Sequence, residues 1–281
     1  MANIPARIEA RFKETLKRFQ PVVEQAKARD VGEADTSTLI KDILAELFGY
    51  DKYSEITAEY MIKGTYCDLA VKLDGKIALL VEVKAINIDL KEAHSKQAVD
   101  YAANQGVEWV ILTNAQTWNL YKVTFAQPIG QELLLSFQFN NLNAKDEDDL
   151  QALYLLSKEG QSKSLLNEYH QQKQVLSRFA IGAIILSDPI LAAIRRELKK
   201  ISPEAKVDVA EIKEVLASEV IKRDVLEGDK ADDVKRKITR VAKKLEREKS
   251  KAAVQLPQES AQTAVSAVPV LSDQSVPQAP Q

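Results

Sequence analysis

The sequence predicts an α/β chain: a mixed β-sheet flanked by helices, followed by an α-helical C-terminal region. Three observations predict it. Residues 64–84, GTYCDLAVKLDGKIALLVEVK, carry two β-rich runs on either side of Asp74-Gly75, a strong hairpin signal. Helical periodicity brackets that hairpin and further β-rich runs follow, an order that places helices against a sheet. Beyond Asp146 strand signals nearly vanish while helical spacing continues.

Taken in order, residues 5–29 repeat Ile8, Phe12, Leu16, Phe19 and Val23 at three- and four-residue intervals, an amphipathic helix with a kink expected at Pro21. Residues 32–35 break the pattern. Asp35 or Thr36 then caps a second helix carrying Leu39, Ile43, Leu44, Leu47 and Phe48, which Gly49 stops. A short extended segment, residues 53–61, leads into the hairpin. Residues 89–105 turn helical again, with His94, Gln97 and Tyr101 on one side. Residues 107–113 and 118–124 read as strands around an Asn114–Thr117 turn, and residues 132–139 as a further strand. Helical spacing then marks residues 150–156, 165–186, 189–200 and 209–226.

Within the hairpin, Leu69, Val71, Leu73, Ile77, Leu79, Val81 and Val83 are all odd-numbered, and alternate residues of a strand face opposite sides. A strict two-residue loop would set odd residues beside even ones and split this apolar face. A three-residue loop over residues 73–75, with a glycine bulge, keeps it whole and gathers Asp68, Glu82 and Lys84 on the other face with Ala70, Ala78 and Leu80. Buried charge needs a partner, so such a trio is neutralised by mutual pairing or by a cation. Two readings follow: a structural Glu82–Lys84 ion pair, or a catalytic site.

Composition bounds the rest. With 281 residues, 45% hydrophobic and 28% charged, the chain is globular and has room for one core domain plus an appendage, divided here as residues 1–30, 31–160, 161–251 and 252–281. A net charge of −2 gives no global attraction for nucleic acid, so any such surface is local. Cys67, the one cysteine, falls in the odd-numbered apolar set as a small core residue, consistent with a reducing cytoplasm. No apolar run is of membrane length. His94 and His170 lack cysteine partners for a zinc site, and Trp109 and Trp118 sit in strand patterns as core residues.

Residues 230–251 hold ten Lys or Arg against four Asp or Glu on a segment of helical propensity. A solvated face and a nucleic-acid surface are both open; in the latter Lys235, Arg236, Arg240, Lys243 and Lys244 would contact phosphates. Residues 252–281, without Lys, Arg or aromatics and with four prolines, read as a disordered tail.

An Asp on one strand and hydrophobic-Glu-hydrophobic-Lys closing the next is the active-site pattern of the PD-(D/E)XK nuclease superfamily. Several further runs keep the same order: Glu33 to Thr36, LIKDILAELFGYD, CDLAVKLDGKIALLVEVKA, His94 to Gln97 with Tyr101, and VEWVILTNAQTWNLYKV. Together, over residues 30–160, they resemble the N-terminal nuclease domain of the restriction subunit of type I restriction enzymes. The resemblance implies a restriction-endonuclease-like fold and Mg²⁺-dependent (or Mn²⁺-dependent) DNA cleavage. Asp68, Glu82 and Lys84 match the catalytic trio, and Gln97 and Tyr101 the Gln-x-x-x-Tyr helix, against a bland alternative of ordinary helix packing. Asp68 and Glu82, joined by Glu33, would hold the metal, with Gln97 beside the active site and Tyr101 toward nucleic acid. The chain has no Gly-x-x-x-x-Gly-Lys-Ser/Thr loop, so ATP hydrolysis is expected of a separate ATPase or other restriction-system subunit. The rival to a cytoplasmic endonuclease is a non-cleaving nucleic-acid-binding or interaction subunit of a restriction or defence complex.

Overall fold

A computed structural model of the chain describes residues 3–62 and 65–254. It divides into two compact units, Met1–Leu176 and Ser177–Gln281.

The first unit opens with α1 (Ala6–Ala28), which buries Ile8, Phe12, Leu16, Phe19 and Val23 on one stripe and runs as a single helix through the exposed Pro21. The second helix, α2 (Glu33–Glu46), starts earlier than expected. Its N-cap is Gly32 rather than Asp35 or Thr36; Glu33 and Asp35 instead place negative charge in the first turn, where the helix dipole favours it. Thr36 is buried and its hydroxyl donates back to the Gly32 carbonyl (2.8 Å). Gly49 ends the helical stretch with φ +83°, and a Cβ there would lie 2.7 Å from Arg11 Nη1. That guanidinium is committed to a two-pronged pairing with Glu159, both contacts 2.8 Å.

Six strands lie in sequence order across one sheet: β1 (Ile56–Ile62), β2 (Thr65–Leu73), β3 (Lys76–Val83), β4 (Trp109–Thr113), β5 (Thr117–Thr124) and β6 (Gly130–Gln138). The segment expected merely to lead into the hairpin is thus a strand of its own. All neighbours are antiparallel except β3 and β4, which α3 (Glu92–Gln105) joins in parallel. The architecture is the mixed, helix-flanked sheet with a helical C-terminal region that the sequence predicts. One face packs on α1, α2 and α4 (Glu147–Leu156) through Phe12, Ile43, Leu69, Val81 and Trp118; the other packs on α3 through Ala70, Leu80, Ala98 and Val110. Trp109 and Trp118 are both buried. Two short helices, α5 (Lys158–Ser162) and α6 (Leu165–Val175), complete the unit.

The central hairpin differs from expectation in its turn. Leu73 pairs with Lys76 around a two-residue loop, with φ +49° at Asp74 and +76° at Gly75, the signature of a type I′ turn. The apolar face survives because the register shifts between Val71 and Lys72: Val71 pairs with Leu79 but Lys72 with Ile77, leaving Ala78 as the extra residue of a bulge. Beyond it, Val71 pairs with Leu79 and Leu69 with Val81. The bulge therefore does the work assigned to a longer loop, and it moves Ile77 to the α3 side while Ala78 packs on the other core. Cys67 also lies in the α3-side cluster with Ala70 and Leu80, not with Leu69.

The second unit is helical: α7 (Arg178–Ile185), α8 (Asp188–Ile201), α9 (Val209–Val215), α10 (Arg223–Leu226) and α11 (Asp229–Val254). Two of the expected helices are interrupted. Residues 165–186 split at Ser177, whose hydroxyl accepts from Ala180 N–H (3.2 Å) and so caps α7 afresh. Residues 209–226 are broken by a π-turn over Leu216–Val220. Of the tail expected to be disordered, residues 252–254 form the last turn of α11 and residues 255–281 lie outside the described residues.

Gly75→Ala tests the turn. Open space surrounds the missing Cβ, so only the left-handed backbone opposes the methyl group. A loss of about 1 kcal/mol is expected by urea unfolding.

Candidate functional site

Three charged residues meet where β2 and β3 emerge beside α2. Glu82 is 3% exposed, the most deeply buried acid among the described residues. It pairs with Lys84, whose Nζ donates to Glu82 Oε1 (2.7 Å) and to the Val83 carbonyl (2.9 Å). Asp68 comes from the neighbouring strand, and its Oδ2 accepts from Val83 N–H (2.7 Å). Glu33, at the start of α2, brings its carboxylate to 3.7 Å from Lys84 Nζ while staying half exposed. The pairing register explains the convergence: Leu69 opposite Val81 puts Asp68 and Glu82 next to one another along the same ladder.

The electrostatics follow from burial. Burial pushes the Glu82 carboxyl above its ordinary range; the hydrogen bond from Lys84 works against this, and the Asp68 charge adds to it. For Lys84, burial works to lower the ammonium, but the bond to Glu82 and the charges of Glu82, Glu33 and Asp68 outweigh it, so its pKa lies above the usual value. Cys67 is no nucleophile: burial first, then the Glu82 and Asp68 charges, push its thiol up to about 12.

The other expected site residues belong to other elements. Gln97 Nε2 donates to the Tyr101 hydroxyl (2.7 Å) on α3, and among the described residues no hydrogen bond joins Gln97 to Lys84. Gln97 is exposed, whereas Tyr101 is 8% exposed and packs in the α3-side core. His94 caps its own helix, Nδ1 accepting from Lys91 N–H (3.2 Å). Lys235, Arg236, Arg240, Lys243 and Lys244 are all exposed on α11 of the second unit. Lys235, Arg236 and Lys244 are partly engaged there by Asp232, Asp233 and Glu248.

Residues that sequence reading took for a mere turn prove to hold the site's flank. Lys84 N–H donates to the Thr113 carbonyl (2.9 Å), continuing β3 alongside β4. Asn114 Nδ2 donates to the Ile88 carbonyl (2.9 Å) and Gln116 Nε2 to the Ile86 carbonyl (2.6 Å). Asn and Gln in a tight turn carry a turn signal only; what they grip is remote in sequence. A groove of this unit, lined by Leu135, Ala152, Leu155 and Tyr169, lies between β6, α4 and α6, and no site residue lines it.

Two carboxylates fit a hard divalent cation such as Mg²⁺, which takes one or two carboxylates and keeps several waters. A like-charged pair with one member buried and the other partly buried is the kind of arrangement a cation relieves. Among the described residues no group of three or more His, Cys, Asp and Glu forms a metal-binding cluster, so Glu33 does not complete one.

As a class, this is an α/β domain whose adjacent strand ends present a carboxylate–lysine centre. Residues 39–133 match the family model described as the type I restriction enzyme R protein N terminus. The match runs from within α2 into β6, takes in Asp68, Glu82, Lys84, Gln97 and Tyr101, and bears out the restriction-subunit resemblance over that stretch; Glu33 precedes it. No curated protein and no solved structure matches the chain. Among the described residues no helix is long and apolar enough to cross a membrane.

A raised folded pKa at Glu82 means that the native chain holds this proton more tightly than the unfolded chain. Its ionisation therefore costs stability as pH rises from about 4.5 through the folded value. Glu82→Gln removes that cost: a higher Tm for the metal-free protein near neutral pH, and a shallower decline above about pH 4.5, are expected by calorimetry.

Proposed function

We propose that the chain is a metal-dependent deoxyribonuclease of the PD-(D/E)XK type, hydrolysing phosphodiester bonds within a restriction or defence system. The match to the restriction-subunit N terminus supports a restriction-type nuclease with DNA and other restriction-system subunits as partners. The observation that carries the finer reading is the convergence of Asp68, Glu82 and Lys84 at the ends of two adjacent inner strands of the sheet, with Glu82 buried and Lys84 2.7 Å from it.

In this reading Asp68 and Glu82 would hold a Mg²⁺ or Mn²⁺ ion. When bound, the metal supplies charge neutralisation at the scissile phosphate and a water acidified toward hydroxide. Lys84 stays protonated near neutral pH, since its pKa is raised, and so serves as a charged donor toward phosphate or attacking water rather than as a base. The Val83 N–H holds the Asp68 carboxylate in place, and the Lys84 bond does the same for Glu82. Gln97 and Tyr101 line α3 as a hydrogen-bonded pair that opens toward DNA only if Gln97 exchanges its partner.

The basic face of α11 would supply backbone contacts. Arg236, Arg240, Lys243 and Lys244 recur at helical spacing on exposed positions, which presents charge along one side of the helix.

Lys84→Ala and Asp68→Ala are expected to cut plasmid DNA at least 10²-fold more slowly in Mg²⁺ with the fold intact, and EDTA to abolish cutting by the wild-type chain. Wild-type rates from purified variants would leave the chain as a DNA-binding or recruiting subunit. Neutralising Arg240, Lys243 and Lys244 together is expected to weaken DNA binding across all sequences and lower the salt slope by about 1 per lost contact, read by titration at several salt concentrations.

A further inference from the structure

Asp30 stands in the left-handed region, where glycine is the commonest residue and aspartate one of the few others that enter it. It follows α1 with φ +52°, in the left-handed region, and the chain there makes the paired bonds of a Schellman ending: Val31 N–H to the Ala26 carbonyl (3.3 Å) and Asp30 N–H to the Lys27 carbonyl (3.1 Å). Glycine is the usual occupant of that position because it has no Cβ to crowd the left-handed backbone. The aspartate is put to use: its Oδ1 accepts from Asn87 Nδ2 (2.8 Å), and the same amide donates to the Lys27 carbonyl (3.2 Å).

Asn87 lies three residues beyond Lys84, and Asp30 three before Glu33. Between them Ile86 N–H donates to the Val31 carbonyl (3.4 Å). The contacts Asp30–Asn87, Val31–Ile86 and Glu33–Lys84 fall in one antiparallel register, so the connection between α1 and α2 and the segment leaving β3 run side by side as a short seam. Gln116 grips the far side of the seam at Ile86. The Glu33–Lys84 pair at its end is half exposed on the Glu33 side, and an ion pair of that kind contributes too little to fix the start of α2 against the lysine.

We propose that Asp30 is a positioning residue for the Glu33–Lys84 arm of the site, acting through Asn87. The inference rests on the nuclease reading above for its catalytic consequence, and on the seam alone for its geometry. It sets Asp30 apart from an ordinary helix stop, in which glycine would serve better.

The test uses the full chain with Asp30→Gly, Asp30→Asn and Asn87→Ala, comparing Tm, single-turnover cleavage of plasmid DNA in Mg²⁺, DNA affinity, and hydrogen exchange at the Ile86 amide. Asp30→Gly is expected to leave Tm unchanged or higher, slow cleavage about tenfold at unchanged DNA affinity, and speed exchange at Ile86. Asn87→Ala is expected to match it in rate and exchange. Asp30→Asn, which tolerates the left-handed backbone and keeps a side-chain oxygen, is expected to restore both to within about twofold of wild type. Cleavage and exchange at wild-type levels in Asp30→Gly would overturn the proposal, as would a rate loss accompanied by an equal fall in Tm in all three variants. If the wild-type chain does not cleave at all, the nuclease reading fails, and the Ile86 exchange still decides whether Asp30 holds the seam.

Discussion

The carboxylate of Glu82, buried beside Asp68 in the low-dielectric interior of a sheet, is the constraint around which the first unit is arranged. Two like charges so placed oppose one another, and burial alone already disfavours ionisation. The Lys84 ammonium offsets part of that, and the backbone N–H of Val83 stabilises Asp68 from the side. An apolar pair of residues would make a more stable strand end. Retaining the charges is consistent with a stability–function trade-off, in which a site is kept at some expense to the metal-free fold.

Everything near this centre bears on its geometry. The bulge at Ala78 lets a tight two-residue turn coexist with a continuous apolar face by switching the parity of β3, and it does so on the turn side of the paired acids, so their register stays regular. Parallel pairing of β3 with β4 carries Lys84 past the end of the sheet, with Thr113 accepting its N–H. From there, side chains remote in sequence hold the departing chain: Asn114 and Gln116 from one direction, Asp30 from the other. Their shared effect is to keep the lysine and the start of α2 within reach of one another.

The second unit poses a simpler physical question. Its last helix carries a strong excess of positive charge, much of it exposed, while Ala231 is buried and Val234 and Ile238 are half buried, on the opposite side. Partial pairing with Asp232, Asp233 and Glu248 leaves a net positive face. Such a face is screened by salt and attracts polyanions without reading sequence.

Local pattern in the sequence sufficed for the elements. Apolar spacing located α1, α3, α4 and α8, because burial on one face imposes a period that a single chain displays, and β-rich composition located the strands after the hairpin, β4 being buried at every position. It also placed Asp68, Glu82 and Lys84 together, since strand alternation is a local rule. Caps and interruptions were less legible: Gly32 rather than Asp35 begins α2, and Ser177 divides a continuous apolar run into two helices. Only the tertiary structure decided how the hairpin turn and its bulge share the register, why Cys67 and Ile77 face α3, and which residues grip the chain after Lys84. Those outcomes depend on pairings between segments dozens of residues apart, and a hydrogen bond from Asn87 to Asp30 or from Gln116 to Ile86 leaves no periodic trace in either partner's neighbourhood.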